Sequence, residues 1–179
     1  NNILQYAPDL KEKYPGNAAE IELIRAQALY IRALVHLNLC CCYGQHYTYT
    51  PDASHWGVPN LSILPSANDP VLRASVYDVY NKRIIPDLEE AIGIFGSTTM
   101  DCYHASATAC EALLARVYLY MEQWQKASDY ATTVIAKVPL TSYENYVNMY
   151  VNIETGSEAI FRLNGFRASK DLWKFYDPV

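Results

Sequence analysis

The sequence predicts an all-α protein built from tetratricopeptide-like helical hairpins, with a long irregular loop and a short C-terminal strand segment. Three observations support this prediction. Apolar residues recur every three or four positions through several long stretches. Small residues and large rings are interleaved between positions 105 and 137, as expected for two closely packed helices. Proline and polar residues separate the first two helical stretches.

The composition restricts the class of protein. With 179 residues, of which 51% are hydrophobic, the chain can form one domain with a sizeable core. The net charge of −5 and the scattered Lys and Arg residues argue against nucleic-acid binding, which needs a clustered basic face. No apolar run reaches the ~20 residues that a membrane-spanning helix needs. Because an initial Met and a signal peptide are absent, we expect residues 1–179 to be a single domain from a longer protein.

The five cysteines do not form a metal-binding pattern. Cys40, Cys41 and Cys42 are consecutive, and neighbouring helical positions point ~100° apart, so their thiols cannot converge on one ion. We expect all five to be small buried apolar residues, and we predict neither a metal nor another cofactor.

The first predicted helix runs from Ala18 to Leu39. Arg25 and Arg32 lie on one face of it, and we expect them to pair with carboxylates rather than to bind an anion. His36 is predicted to be a hydrogen-bonded packing residue. Further apolar residues lie off the main stripe, so we expect this helix to be packed between others. The stripe consists of Ile21, Ile24, Ala28, Ile31 and Val35.

The second predicted helix begins near Ser75, where Asp78 follows three residues later in an arrangement like a capping box. Pro86 falls inside its apolar pattern and should kink the helix or divide it in two. We expect Asp87 and the glutamates at positions 89 and 90 to face solvent, because adjacent carboxylates on a helix diverge.

Residues 105 to 137 predict two helices joined by a very short turn. Leu114, Ala115 and Tyr118 match the L-G-x-x-Y pattern of a tetratricopeptide repeat, with Ala in place of Gly. Ala127 and Pro139 occupy the later Ala and Pro positions of that repeat. No second copy appears at the 34-residue period, so a regular solenoid is not predicted.

Two further predictions concern the C-terminal part of the chain. Trp124 opens the second helix of the hairpin, and we expect it to lie in or near the core. After Pro139 the helical pattern weakens. The alternating stretch from Ser157 to Gly165 predicts the short strand.

Five segments of the chain, taken in their order, carry a family resemblance. They are AQALYIRALVHLNLCCCYG, GVP, VYDVYNKRIIPDLEEAI, ACEALLARVYLYMEQWQKASDYATTVIA and SEAIFRL, and they cover most of Ala18 to Leu163. Arg32-Ala33 and Tyr43-Gly44 mark the first segment, and Asp87 opens the Asp-Leu-x-x-Ala of the third. Together these segments resemble the SusD/RagB-like outer-membrane lipoproteins of Bacteroidetes. The chain departs from their pattern by about a dozen extra residues between Gly44 and Val58.

The resemblance implies a binding protein at the outer membrane, lipid-anchored on the cell surface. Such proteins cap a SusC-like TonB-dependent transporter and capture a nutrient ligand, usually an oligosaccharide. The lipidated N-terminal Cys and the C-terminal portion of that family lie outside this sequence. Any membrane attachment is therefore expected only through a lipid anchor absent from this chain.

The loop from Tyr43 to Pro59 is rich in aromatic rings for a segment between two helices. Sugar rings stack their C–H faces on aromatic side chains, and loops on rigid scaffolds often carry binding residues. The alternative is that these rings pack on the helices, or against the transporter or the rest of the protein. Gln45 and Asp52 would supply neighbouring hydrogen-bonding groups. The candidate ligand-binding residues are Tyr47, Tyr49, His55 and Trp56.

Three functions are consistent with the sequence, and we predict the first. It is nutrient capture without chemistry, followed by delivery to a transporter. The second is a helical-repeat scaffold that binds protein and no glycan. The third, a glycan-processing enzyme, is disfavoured because no acid–base carboxylate pair is evident. The sequence also lacks G-x-S-x-G, P-loop and H-E-x-x-H motifs.

Overall fold

The computed structural model describes residues 1–63, 65–66, 68–147 and 158–163. Within these ranges the chain forms six α-helices and no β-sheet, which confirms the all-α prediction. α2 packs against α1 and α4, α4 packs against α5, and α5 packs against α6. The helices are α1 (Asn2–Lys13), α2 (Ala18–Tyr43), α3 (Val76–Val79), α4 (Ile85–Phe95), α5 (Ala107–Tyr120) and α6 (Trp124–Lys137).

The buried side of α2 differs from the apolar stripe in its sequence. Ile24, Ile31 and Val35 of that stripe are exposed. The helix is apolar around most of its circumference, so residue spacing cannot indicate which side the neighbouring helices cover. Its predicted position between other helices is confirmed, since α1 and α4 both pack on it. The buried residues of α2 are Ala26, Leu29, Tyr30, Ala33, Leu37 and Cys40.

Ion pairs join α2 to α4, as the two arginines of α2 predict. Arg25 contacts Glu22 on its own helix at 3.0 Å and Glu90 on α4 at 2.5 Å. Arg32 donates from Nε and from Nη2 to the two carboxylate oxygens of Asp87, each at 2.7 Å. A fork of two parallel bonds is the strongest geometry for such a pair. It fixes the position of α4 along α2.

The prediction that Asp87 faces solvent is wrong. Its neighbours Glu89 and Glu90 are exposed, but Asp87 is only 4% exposed. A buried carboxylate is tolerated when a cation and hydrogen bonds compensate for its lost hydration, and Arg32 provides both. His36 lies next to this pair, with Nδ1 2.8 Å from the Arg32 backbone oxygen, as expected for a hydrogen-bonded packing residue.

The helix predicted from Ser75 begins there and is then divided. The Ser75 hydroxyl oxygen accepts a hydrogen bond from the Asp78 N–H at 3.0 Å, which caps α3. A π-helical turn, Tyr80–Ile84, follows α3 and leads into α4. Pro86 lies in the first turn of α4. There its missing N–H is least costly, and the predicted division near Pro86 is confirmed.

α5 and α6 form the tetratricopeptide-like hairpin. Leu114 and Ala127 are buried between the helices and their neighbours. The rings of Tyr118 and Tyr130 stack across the hairpin, with centroids 5.6 Å apart. Glu122 occupies the connecting turn with a φ of 57°, in the left-handed region that few residues other than Gly adopt. The small-and-large pattern in the sequence therefore predicted this hairpin correctly.

Two predictions for the C-terminal part are wrong. Trp124 is 62% exposed rather than buried. Helical side chains tilt towards the N-terminus, and Trp124 is the first residue of α6, so no preceding turn covers its ring. Residues 158–163 form no strand, and instead Phe161 packs edge-on against Tyr30 with ring centroids 4.9 Å apart. Positions 157, 164 and 165 of the predicted strand lie outside the described residues.

The cysteines divide into two groups, contrary to the prediction that all are buried. Cys40 and Cys110 are buried, whereas Cys41 and Cys42 are exposed and Cys102 is partly exposed. Burial raises the pKa of the Cys40 thiol to about 11 and that of Cys110 to about 12. A protonated, inaccessible thiol is a poor nucleophile.

We therefore expect selective alkylation of the folded protein. A short pulse of iodoacetamide near neutral pH should modify Cys42, while Cys40 and Cys110 remain unmodified until urea unfolds the chain. Tandem mass spectrometry of the digested protein locates the modified positions. The same pulse in urea is the control and should modify all five cysteines. Equal labelling of Cys110 and Cys42 in the folded protein would contradict the described packing.

Candidate functional site

Backbone hydrogen bonds hold the aromatic loop against the start of α3. Trp56 forms an isolated antiparallel bridge with Ser75, the residue that caps α3. The Gly57 N–H donates to the Ala74 carbonyl at 2.7 Å, and the Ala74 N–H donates to the Val58 carbonyl at 3.1 Å. The backbone on both sides of Trp56 is therefore fixed to a second segment of chain.

Gly57 allows these two segments to approach closely. A Cβ atom at this position would lie 3.1 Å from the Val76 nitrogen and 3.2 Å from the Ala74 carbonyl oxygen. Both are backbone atoms, so a Cβ here would require the two segments to shift slightly, and Gly favours their close approach. The next residue, Val58, is buried in the core. The loop is thus anchored directly beside the exposed Trp56 ring.

Of the four candidate binding residues, Tyr47 points inward. It begins a 3-10 turn, Tyr47–Tyr49. Its ring packs on Tyr80, with centroids 5.1 Å apart, and its hydroxyl oxygen accepts a hydrogen bond from the Asn81 amide at 3.0 Å. One side of the Tyr47 ring is therefore covered by the helical core.

The structure brings Tyr49 and His55 together and leaves Trp56 the most exposed of the four. The Tyr49 and His55 rings meet edge to face, with centroids 5.3 Å apart. His55 Nδ1 also lies 2.8 Å from the Thr50 hydroxyl oxygen, which fixes the orientation of the imidazole. Trp56 is 69% exposed. A large ring on a fixed backbone is a preformed surface for stacking.

Polar groups lie beside these rings. Gln45 is exposed, and its backbone carbonyl oxygen is 3.4 Å from His55 Nε2. Asp52 accepts a hydrogen bond from the Ser54 N–H at 3.1 Å, and its hydrogen bonds with Ser54 hold the pKa of this carboxyl below its usual value. Asp52 is therefore an ionised acceptor at neutral pH. Acceptors and donors next to exposed rings are suited to a neutral polyhydroxylated ligand.

A pocket of about 260 Å³ opens beneath the loop, between the end of α2 and the end of α5. It contains residues that the sequence did not indicate, because they come together from distant parts of the chain. Burial raises the pKa of the Tyr80 hydroxyl, which therefore stays protonated at neutral pH. Gly44, Gln45, His46 and Tyr47 belong to the aromatic loop that the sequence indicated, whereas the lining cysteines and tyrosines outside this loop had no such signal. The lining residues are Cys40, Cys41, Gly44, Gln45, His46, Tyr47, Tyr80 and Tyr120.

These features suit the binding of a ligand. Exposed rings, a fixed imidazole and an aromatic pocket can hold a ligand by stacking and hydrogen bonds. The described residues contain no group of three or more His, Cys, Asp or Glu side chains placed to hold a metal ion.

Comparison with known proteins defines the family. A SusD-like family, described as starch-binding and associating with the outer membrane, matches residues 1–119. The chain belongs to this SusD-like family. In the part of the chain that the structure describes, no helix is both long and apolar enough to cross a membrane. No curated protein matches the chain.

Solved structures of this superfamily share the fold. A SusD superfamily protein from Bacteroides thetaiotaomicron is 29% identical, with a TM-score of 0.68 over 82% of this chain and 33% of that one. One from Bacteroides vulgatus is 27% identical, with a TM-score of 0.74 over 90% and 38%. A laminarin-binding SusD-like protein is 27% identical, with a TM-score of 0.60 over 80% and 31%. The chain thus spans about a third of the length of these relatives.

Proposed function

We propose that this chain is the helical part of a cell-surface protein that captures an oligosaccharide. The protein would be lipid-anchored at the outer membrane and would pass its ligand to a SusC-like TonB-dependent transporter. Capture requires no chemical step, so the protein would not be an enzyme. The loop around Trp56 would meet the ligand, and the helices would support the loop.

The observation that carries this proposal is the exposed Trp56 ring on a fixed backbone. Stacking on a ring whose backbone is already held in place avoids part of the entropy cost of ordering the loop upon binding. Tyr49 and His55 add an edge-to-face pair next to it. Similar proteins add support, since one is a laminarin-binding SusD-like protein and another is a SusD-like carbohydrate-binding protein from Bacteroides vulgatus.

A second candidate function is a helical scaffold that binds protein and no glycan. The observation that favours it is the exposed apolar side of α2, formed by Ile24, Ile31 and Val35. Contiguous exposed apolar residues often mark a protein interface. The two functions differ in whether a glycan binds and whether the loop rings matter for that binding.

We expect Trp56→Ala to weaken oligosaccharide binding by about tenfold or more, because the stacking surface is lost. Isothermal titration of the protein with starch-derived and laminarin-derived oligosaccharides measures this change. Trp124→Ala is the matched control, since Trp124 is also an exposed Trp but lies at the start of α6. That variant should bind as the wild type does.

The outcomes separate the candidate functions. Loss of binding in Trp56→Ala alone, with an unchanged circular dichroism spectrum, would support the loop as the glycan site. If a glycan binds the wild type and both variants equally, the site assignment is wrong although capture remains. If no tested glycan binds the wild type, the scaffold function gains support.

A further inference from the structure

The guanidinium group of Arg73 joins three backbone positions around Trp56. Its Nε donates to the Gly57 carbonyl at 2.6 Å. Its Nη2 donates to the Tyr43 carbonyl at 2.7 Å and approaches the Trp56 carbonyl at 3.4 Å. Along the chain, Gly57 lies 16 residues from Arg73, Trp56 lies 17 residues away, and Tyr43 lies 30 residues away. A single side chain thus connects the end of α2, the exposed ring and the segment before α3.

Tyr43, whose carbonyl accepts one of these bonds, is the last residue of α2. Carbonyls at the end of a helix lack partners within the helix. A cation at this end also interacts favourably with the helix dipole. Arginine suits the role because its planar fork donates in several fixed directions at once. Arg73 is the only Lys or Arg between Arg32 and Lys82, so no other such cation in this stretch can replace it.

These hydrogen bonds lie near the surface, and Arg73 itself is exposed. Removing its side chain would allow water to reach the carbonyls, so the stability of the whole domain should change little. The local effect should be larger, because the backbone on either side of Trp56 would lose its link to α2. The remaining constraints include the backbone hydrogen bonds of His55, Gly57 and Val58 with residues 74–76 and the bridge to Ser75.

We propose that Arg73 is a positioning residue for Trp56: it ties the backbone of Trp56 and Gly57 to the end of α2 and so holds the indole ring ready for stacking. This inference deepens the proposed function and rests on it where ligand binding is concerned. The structural part of the inference concerns the Trp56 ring alone and is tested without any ligand.

The first test observes the ring directly. Labelling with 5-fluorotryptophan gives one fluorine resonance for each of the three Trp residues, and Trp56→Phe assigns the resonance of interest. Arg73→Ala should shift and broaden the Trp56 resonance and leave that of Trp124 unchanged. Arg73→Lys should partly restore the wild-type position and width of the Trp56 resonance. A Lys ammonium group can replace one of the hydrogen bonds of Arg73 but not the whole set that the planar guanidinium forms. Lys82→Ala is the control, since Lys82 forms only an exposed pair with Asp78.

The second test uses binding of the same oligosaccharides. Arg73→Ala should lower affinity by a factor similar to that of Trp56→Ala, about tenfold. Adding Arg73→Ala to Trp56→Ala should cause no further loss, because the two changes act through the same ring. A further loss of equal size in the Trp56→Ala background would overturn the inference.

Two other outcomes would also overturn it. One is an unchanged Trp56 resonance in Arg73→Ala. The other is global unfolding of both Arg73 variants, which would make Arg73 a general stabilising residue. If Trp56→Ala binds glycan as the wild type does, the proposed site is wrong, and the fluorine spectra still decide whether Arg73 fixes the ring. Failure of the proposed function is therefore distinguishable from failure of this inference.

Discussion

Replacing Arg32 with Ala is expected to lower the free energy of unfolding by about 3–5 kcal/mol. The reason is the position of Asp87, which is 4% exposed and receives two 2.7 Å hydrogen bonds from Arg32. Without the guanidinium group the carboxylate would remain buried and uncompensated. Urea unfolding followed by circular dichroism measures the change.

The control for this prediction is Arg25→Ala on the same helix. Arg25 pairs with Glu22 and Glu90, whose side chains are more exposed than that of Asp87. Its loss should cost no more than about 1 kcal/mol. Replacing both members of the buried pair, Arg32→Met with Asp87→Leu, should recover much of the lost stability. Equal costs for Arg32→Ala and Arg25→Ala would contradict the proposed importance of burial.

Leu114→Ala should cost about 2–5 kcal/mol, because it removes three buried carbon atoms and leaves a cavity. Leu114 is 0% exposed and lies on α5, which packs against both α4 and α6. Leu119→Ala is the matched control on the same helix, since Leu119 is 49% exposed. It should change stability by less than about 1 kcal/mol.

Both leucine variants are compared by urea unfolding under identical conditions. The difference between them isolates burial, because the substitution and the helix are the same. If Leu119→Ala is as destabilising as Leu114→Ala, then Leu119 is covered in solution by another surface. That result would indicate a partner on this side of α5.

The sequence predicted the helices well where the pattern of small and large residues allows two helices to pack in only one way. In the hairpin of α5 and α6, the small residue Ala127 is buried and the Tyr118 ring stacks on Tyr130, as the pattern of small and large residues predicts. The cap at Ser75 and the break near Pro86 follow from interactions between residues close together in the sequence. These features need no knowledge of distant residues.

The sequence could not show which side of an apolar helix is covered or which carboxylate is buried. Ile31 and Leu29 on α2 are similarly apolar, yet Leu29 is buried and Ile31 is exposed. The placement of the neighbouring helices decides which of the two is buried. Asp87 was expected in solvent because adjacent carboxylates on a helix diverge. Its partner Arg32 is 55 residues away, so helical spacing could not indicate the pair. In the candidate site, the rings were evident from composition, but Tyr80, Tyr120 and Arg73 enter it through tertiary contacts alone.

The π-helical turn between α3 and α4 has a consequence for how this chain can change in length. A π-helical turn holds one residue more than the α-helical turn it replaces. Each residue rotates the following side chains by ~100° about the helix axis. Loss of one residue between Tyr80 and Ile84 would turn this segment into an ordinary α-helical turn, so position 87 would keep its direction towards Arg32. Loss of one residue from a regular α-helical turn would instead rotate position 87 away from α2. The π-helical turn is thus the part of this segment that can lose one residue without separating Arg32 from Asp87.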